Sequence, residues 1–471
     1  MQRTDYDQWM KYLVGLVLIL LVAAGGAWIV AGRMAAPAIT IEKPEKFVGT
    51  ATPLQIAIAA PDAPTMKPIR VVFEQNGKQT PLFNLDEPGK GQIAQDGTDK
   101  VRITEEIGKQ TIPDLQSGAA KIIVTAGRPV LRGMRTLQTT VTHDVQVRLE
   151  RPRVSVISTH HYINHGGTEF IVYRAIPDDV ESGVVVGDVE YPGFPAAGAT
   201  VDGVKITDPA VKVAFFALLY DQDMNVPMRV FARDPAGNTA RADFDHRTFP
   251  KPFKKSQIPL DDKFLDRVVP AILEGTTDVK PDGDNLAKFL VINGDLRRKN
   301  AEKIASFAKQ TSPELLWKGL VFHAFKNNAV ESAFADQRTY IYKGKEVDKQ
   351  VHLGFDLASF AGTPIVAANR GKVLFADELG IYGNCVIIDH GMGVQSLYAH
   401  LSSIEVKAGQ DVEKEQTLGR SGMTGLAGGD HLHFTMLLNG HMINPVEWWD
   451  AHWIEDRILR KLRGTTAGTS N

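Results

Sequence analysis

Twenty consecutive residues without a charge constrain this chain more than any other feature. They run from Tyr12 to Ala31, Y-L-V-G-L-V-L-I-L-L-V-A-A-G-G-A-W-I-V-A. Wound as a helix at about 1.5 Å per residue, such a stretch spans roughly 30 Å, the thickness of a bilayer's hydrocarbon layer. Tyr12 and Trp28 lie near its two ends, where interfacial aromatics sit. The apolar region of a cleaved signal peptide is only about 7–15 residues long, so the length favours an uncleaved transmembrane anchor over residues 12–32. Cleavage after Ala35-Ala36 is the competing reading. Flanking charge does not set the orientation, with Arg3 and Lys11 before the segment and Arg33, Lys43 and Lys46 after it.

The chain has 471 residues, too many for one ordinary core, and about three domains are expected. A net charge of −2 supplies no global field for nucleic acid, and no nucleic-acid motif appears. The single cysteine, Cys385, excludes an internal disulfide framework and any cysteine-rich zinc site. It reads as a small buried residue on the strand N-C-V-I-I-D.

From residue 38 to 250 the pattern is that of strands. I-T-I-E (39–42), P-L-Q-I-A-I (53–58), I-R-V-V-F (69–73), K-I-I-V-T (121–125) and V-Q-V-R-L-E (145–150) are short, rich in β-branched residues and often alternating. Turn formers such as N-G, D-G and E-P-G-K-G at 87–91 separate them. Arg151-Pro152-Arg153 reads as a junction, after which V-S-V-I-S (154–158), E-F-I-V-Y-R (169–174), V-K-V-A-F-F-A-L-L-Y (211–220) and M-R-V-F-A-R (228–233) restart the pattern. The ending V-F-A-R-D-P-A-G-N-T-A resembles the close of bacterial immunoglobulin-like domains. Two β-sandwiches, 38–150 and 151–250, fit the spacing. His160, His161 and His165 lie close together, but no carboxylate stands in register with them, and a solvated loop is expected.

Residues 251–330 read as a helical connector. F-P-K-P-F (249–253) is a proline-rich link, and D-K-F-L-D-R-V-V (262–269) forms a turn or two before Pro270 interrupts it. N-L-A-K-F-L-V-I-N (285–293) and L-R-R-K-N-A-E-K-I-A-S-F-A (296–308) carry apolar residues at helical spacing. In T-S-P-E-L-L-W, Ser312 is expected to cap a helix with Pro313 at its first position. Two roles stay open for this segment: packing its apolar stripe on a neighbour, or regulating by lying across a site.

The chemistry concentrates further on. H-L-G-F-D (352–356), Y-A-H-L (398–401) and H-L-H-F (431–434) supply the nitrogen and oxygen ligands and protonatable groups that zinc catalysis needs. Fully extended, His352 and Asp356 would stand roughly 13 Å apart. Gly354 between them permits a bend. In the strand H-L-H-F-T-M-L-L, His431 and His433 share a face while Leu432 and Phe434 turn to the core. T-Y-I-Y-K-G-K-E-V is a hairpin turning at Lys343-Gly344-Lys345. The strands T-P-I-V-A-A, G-K-V-L-F-A, N-C-V-I-I-D and V-Q-S-L-Y-A predict a mostly antiparallel sheet whose concave face carries the site.

This order of motifs resembles the lysostaphin/LytM-type zinc endopeptidases, which cut peptide cross-links in bacterial cell walls. The likeness spans about residues 335–449 and includes A-G-T-P-I-V-A-A-N-R-G-K-V (361–373), Y-G-N (382–384), I-D-H-G (388–391), S-G-M-T-G (421–425) and I-N-P (443–445). The resemblance implies that His352, Asp356 and His433 hold one Zn2+ ion per chain, and that His400 and His431 are the catalytic pair. His390, in I-D-H-G, is structural, and His441 sits at a hairpin tip. No H-E-x-x-H helix is present, so the glutamate base of those metalloproteases has no counterpart.

The expectation is thus a mostly β chain: cytoplasmic residues 1–11, the anchor 12–32, two immunoglobulin-like sandwiches, the connector, an antiparallel-β LytM-type peptidase domain at 331–450, and a short helix with a disordered tail at 451–471. The implied substrate is the peptide bridge of peptidoglycan, hydrolysed by a metal-activated water. That substrate puts the bulk of the chain on the periplasmic side of the inner membrane. Cell-wall proteins are expected partners of the sandwiches. The alternative is a catalytically silent LytM-type activator or scaffold of cell-wall hydrolases; degenerate copies of that kind usually lose ligands.

Overall fold

The computed structural model describes residues 3–61, 63–87, 92–201, 204–317, 321–323 and 325–467. The chain is mostly β, with an apolar helix at Arg3–Gly32, many antiparallel sheets and two compact units. Most of the turn E-P-G-K-G at 87–91 and the last four residues of the tail, 468–471, lie outside the described residues.

The first unit comprises residues up to Arg151 together with Asp234–Thr239. From Gln8 to Gly32 its helix is long and apolar enough to cross a membrane, and its most apolar stretch of 18 residues is not buried by protein. Two sheets then close on one core. One runs in the order 38–43, 52–59, 100–107, 92–95, and the other 47–48, 135–147, 118–130, 69–75, 78–84. Alternation explains the packing: Leu54, Ile56 and Ile58 face Val71, Phe73, Ile122 and Val124 across the interior. The strands 118–130 and 135–147 form a hairpin of thirteen residues on each side, much longer than its apolar segments indicate. Its Thr-rich arm R-T-L-Q-T-T-V-T-H-D stays half exposed.

The second unit holds Pro152–Arg233 and Ala240–Asn471. Sheets of 153–156, 168–176, 211–217, 194–195 and of 189–192, 181–186, 228–233 enclose Phe170, Val172, Phe215, Val184 and Val230. The same apolar interior continues into the C-terminal sheet through Trp448, whose ring centroid is 5.6 Å from Phe215 and 5.3 Å from Phe322.

Four local expectations fail here. His161 belongs to a strand, His161–Asn164, rather than a solvated loop. It is buried between Ser158 and the Asp245 carbonyl, and burial pushes its pKa down to about 4. Pro270 does not interrupt its helix, which runs from Asp262 to Gly275. Asp261 caps its start by accepting from the Phe264 amide, and burial of Leu265, Val268, Val269 and Ile272 outweighs the lost backbone bond. Ser312 and Pro313 start no helix, because the Ser312 amide and the Thr311 hydroxyl both donate to Asp389, which draws the segment out. The final helix, Arg460–Ala467, continues through Gly464, where a disordered tail was expected to begin.

The segment after residue 250 is also not helical throughout. Lys255–Leu260 pairs in parallel with Asp336–Tyr342, adding a third strand to the hairpin Asp336–Tyr342/Lys345–His352. Lys343 and Gly344 turn that hairpin with φ of 47° and 78°, as a two-residue turn requires. The helices Asp262–Gly275, Asn285–Val291 and Arg297–Ser306 then pack Leu265, Phe289 and Ile304 against Tyr340, Ile381 and Ile387.

Candidate active site

The C-terminal sheet runs in the order 329–332, 355–358, 432–438, 394–401, 384–389, 371–378, 411–412. Its register brings the motifs together. Asp356 stands opposite His433, and His433 stands opposite Ala399, one residue before His400. His352 ends the neighbouring hairpin, and two residues later the chain enters the strand of Asp356.

Strict alternation would send His400 to the far face from Ala399. A β-bulge prevents this. Asn384 pairs with Leu401 but Val386 pairs with Tyr398, so the strand of His400 carries one extra residue. His400 takes up the irregularity with φ of 62°, in the left-handed region that a bulky side chain rarely adopts. Its ring consequently lies 4.9 Å from that of His431 and 5.8 Å from that of His433.

Three atoms converge. His352 Nε2 is 2.9 Å from Asp356 Oδ1 and 2.9 Å from His433 Nδ1, and His433 Nδ1 is 3.1 Å from Asp356 Oδ1. His352 Nδ1 faces the Ala333 carbonyl at 3.3 Å. A carbonyl can only accept, so Nδ1 carries a proton and Nε2 faces the carboxylate. A positive charge has to lie between atoms 2.9 Å apart, either a proton on Nε2 or a metal ion. Zinc bound tetrahedrally at about 2.0–2.1 Å separates its ligands by about 3.3 Å, so the triangle suits such an ion with small adjustment. His352, Asp356 and His433 could therefore hold a metal.

Gly354 serves by its size. A Cβ there would lie 2.5 Å from the His433 ring, whereas no left-handed φ is required of it. The sequence reading assigned it the bend; what it provides is room.

The electrostatics follow from burial and from Asp356. Burial opposes charge on Asp356, but His352, His431 and His433 outweigh it and hold the carboxyl well below its usual range. The second oxygen, Oδ2, accepts from Arg338 Nη2 at 2.9 Å. Arg338 also donates to Ser332 Oγ and lies 3.6 Å from Asp336. Burial and the neighbouring rings push His400 well below its ordinary value, and burial takes His433 down to about 4. Burial lowers His431 too, but the Asp356 carboxylate 3.4 Å from its Nε2 overrules that and raises it. His400 Nδ1 donates to the Thr424 carbonyl at 2.8 Å and His431 Nδ1 to the Gly429 carbonyl at 2.9 Å.

All five predicted side chains thus line one cleft of about 1000 Å³. His390 and His441 lie elsewhere. His390 is bound by the Arg370 carbonyl and Ser396 inside the core, and His441 pairs with Leu438 in a terminal hairpin. Sequence reasoning missed Arg338 and Ser332. Arg338 sits fourteen positions before His352, and only the hairpin register, which pairs it with Gln350, carries it to Asp356.

The antiparallel sheet thus gathers two imidazoles and a carboxylate at one point, with two further histidines beside them. Residues 350–445 match the model of Peptidase family M23, and the chain carries a domain of that family. It is 34% identical over 160 residues to an uncharacterised metalloprotease of Haemophilus influenzae, covering 34% of this chain and 30% of the relative. It is 41% identical over 97 residues to the DD-carboxypeptidase/endopeptidase Mpg of Neisseria meningitidis, covering 21% and 22%. It is 29% identical over 167 residues to the peptidoglycan DD-endopeptidase ShyA of Vibrio cholerae, covering 35% of each. The chain therefore spans about a third or less of the length of these relatives.

Proposed function

We propose that the protein is a zinc-dependent endopeptidase that hydrolyses peptide cross-links of peptidoglycan. It is held at the inner membrane by its N-terminal helix, with the bulk of the chain in the periplasm. The convergence of His352 Nε2, Asp356 Oδ1 and His433 Nδ1 carries this reading. The relatives' names support the peptide substrate.

His352, Asp356 and His433 would hold the zinc. A zinc ion there would supply Lewis acidity and would lower the pKa of a water bound to it from about 15.7 towards 7. The chain's own residues divide the remaining work. Arg338 fixes Asp356 through Oδ2, leaving Oδ1 for the cluster. His400 spends its Nδ1 proton on Thr424, so Nε2 is the atom that accepts a proton from the attacking water. His431 spends Nδ1 on Gly429, and a proton on its Nε2 is stabilised by Asp356 until it passes to the leaving amine.

The division of the chain proposed with this function follows the sequence reading: anchor 12–32, sandwiches 38–150 and 151–250, connector 251–330, peptidase domain 331–450. The sandwiches would carry the catalytic unit away from the membrane and meet cell-wall proteins. Digestion of purified peptidoglycan by the detergent-solubilised chain, with products resolved by mass spectrometry, tests the activity. Release of un-cross-linked peptides is expected. Intact cross-links from a zinc-loaded preparation would favour the silent activator.

A further inference from the structure

The cleft has a strongly one-sided charge. Lys255, Arg297, Arg298, Arg338 and Lys349 line it, and Asp356 is the one acidic residue among the described residues of its wall. Arg338 is committed to Asp356, while Arg298 pairs with Asp295 and Glu302, and Lys349 with Glu346. Arg297 is different. Among the described residues its side-chain bonds run to Asn293, from Nε to the backbone carbonyl at 3.1 Å and from Nη2 to Oδ1 at 2.6 Å.

That clamp is built into the fold. Asn293 is fully buried within a five-residue wide turn, Ile292–Leu296, between the helices Asn285–Val291 and Arg297–Ser306. Wide turns of this kind interrupt a helix at a cost and gather at functional sites. Asn293 Nδ2 donates to Asp348 Oδ2 at 2.7 Å, which fixes the amide so that Oδ1 faces Arg297. Among the described residues the guanidinium is thereby oriented by neutral acceptors, with Nη1 uncommitted and no carboxylate in an ion pair with it. An arginine prepared in this way suits a carboxylate, which its planar fork binds in two-point fashion.

Resting on the hydrolase reading, we infer that Arg297 is a substrate-binding residue that recognises a free carboxylate on the peptide being cleaved. The helical segment 285–306 then sets selectivity for acidic over amidated peptides. It forms a wall of the cleft rather than serving only as a spacer. A cleft of about 1000 Å³ is large enough for several residues of an extended peptide.

Two probes test this on the full chain in detergent: cross-linked peptide dimers released from peptidoglycan, and the same dimers with their carboxylates converted to carboxamides by carbodiimide and ammonia. Affinity is read by calorimetry after chelator treatment, so that turnover does not enter, and kcat/KM is read separately on the zinc-loaded chain. The free-acid dimer is expected to bind about tenfold more tightly than the amidated one. Arg297→Gln should abolish that difference by weakening only the free-acid dimer, and Arg297→Lys, which keeps the charge and folds with the same helix, should retain part of it. Equal affinity for both dimers in the unaltered chain, or undiminished discrimination in Arg297→Gln, overturns the inference. Cleavage without discrimination removes this inference alone. Discriminating binding that Arg297→Gln abolishes, without cleavage, removes the hydrolase and leaves Arg297 as a carboxylate receptor.

Discussion

Asp356 and His433 face each other directly across two antiparallel strands, with Oδ1 and Nδ1 3.1 Å apart. Because the ladder itself sets this distance, two candidate ligands 77 positions apart in sequence are held by backbone hydrogen bonds rather than by a loop. A site on paired strands is pre-formed, which limits the ordering cost of taking up an ion.

Arg338 neutralises the outer oxygen of Asp356 and orients it. Groups that orient ligands from behind change metal affinity by about 10–100-fold when removed. Arg338→Gln is therefore expected to weaken zinc binding by about tenfold, measured by competition with a chromophoric chelator, with circular dichroism unchanged.

Gly354→Ala introduces a methyl 2.5 Å from the His433 ring. Overpacking of this kind costs about 1–3 kcal/mol, and the ring has to move to relieve it. The variant is expected to remain folded, to melt lower and to lose most of its zinc affinity. A change in melting temperature without a change in affinity would show that the ring has space to spare.

Glu447 is buried and accepts from the Thr168 amide and Asn164 Nδ2, yet burial drives its pKa up to about 7. Between pH 4.5 and 7 the unfolded chain releases this proton while the folded chain keeps it. Its contribution to stability therefore falls as pH rises through that window, by about 3 kcal/mol in all, and stays low above it. Glu447→Gln cannot titrate. Urea unfolding at pH 4.5 and pH 8 should show the parent losing about 3 kcal/mol more than the variant between the two. Parallel pH profiles would contradict this.

Much of the site was legible because its chemistry is written in short motifs with fixed alternation. H-x-x-x-D and H-x-H supplied four candidate side chains, the family resemblance singled out His352, Asp356 and His433, which meet at a point, and the aromatic-rich strand before His400 located that residue. What pattern could not reveal depends on pairing. The bulge that turns His400 inward exists only relative to the strand 384–389. Arg338 and Arg297 look like ordinary surface charges until the hairpin register and the wide turn at 292–296 position them. Propensity also misled where tertiary bonds prevailed: Asp389 took Ser312 away from a helix, and a buried apolar stripe carried a helix through Pro270. The continuous core joining Phe215, Trp448 and Phe434 shows no boundary that alternation alone would reveal.

The central claim is that His352, Asp356 and His433 form one metal centre while His400 and His431 serve the reaction beside it. Zinc content per chain, measured by mass spectrometry on the parent, His433→Ala and His431→Ala, tests it most directly. The account predicts one zinc in the parent and none in His433→Ala, whose activity is lost with the metal, and one zinc without turnover in His431→Ala. Full zinc and full activity in His433→Ala would contradict it.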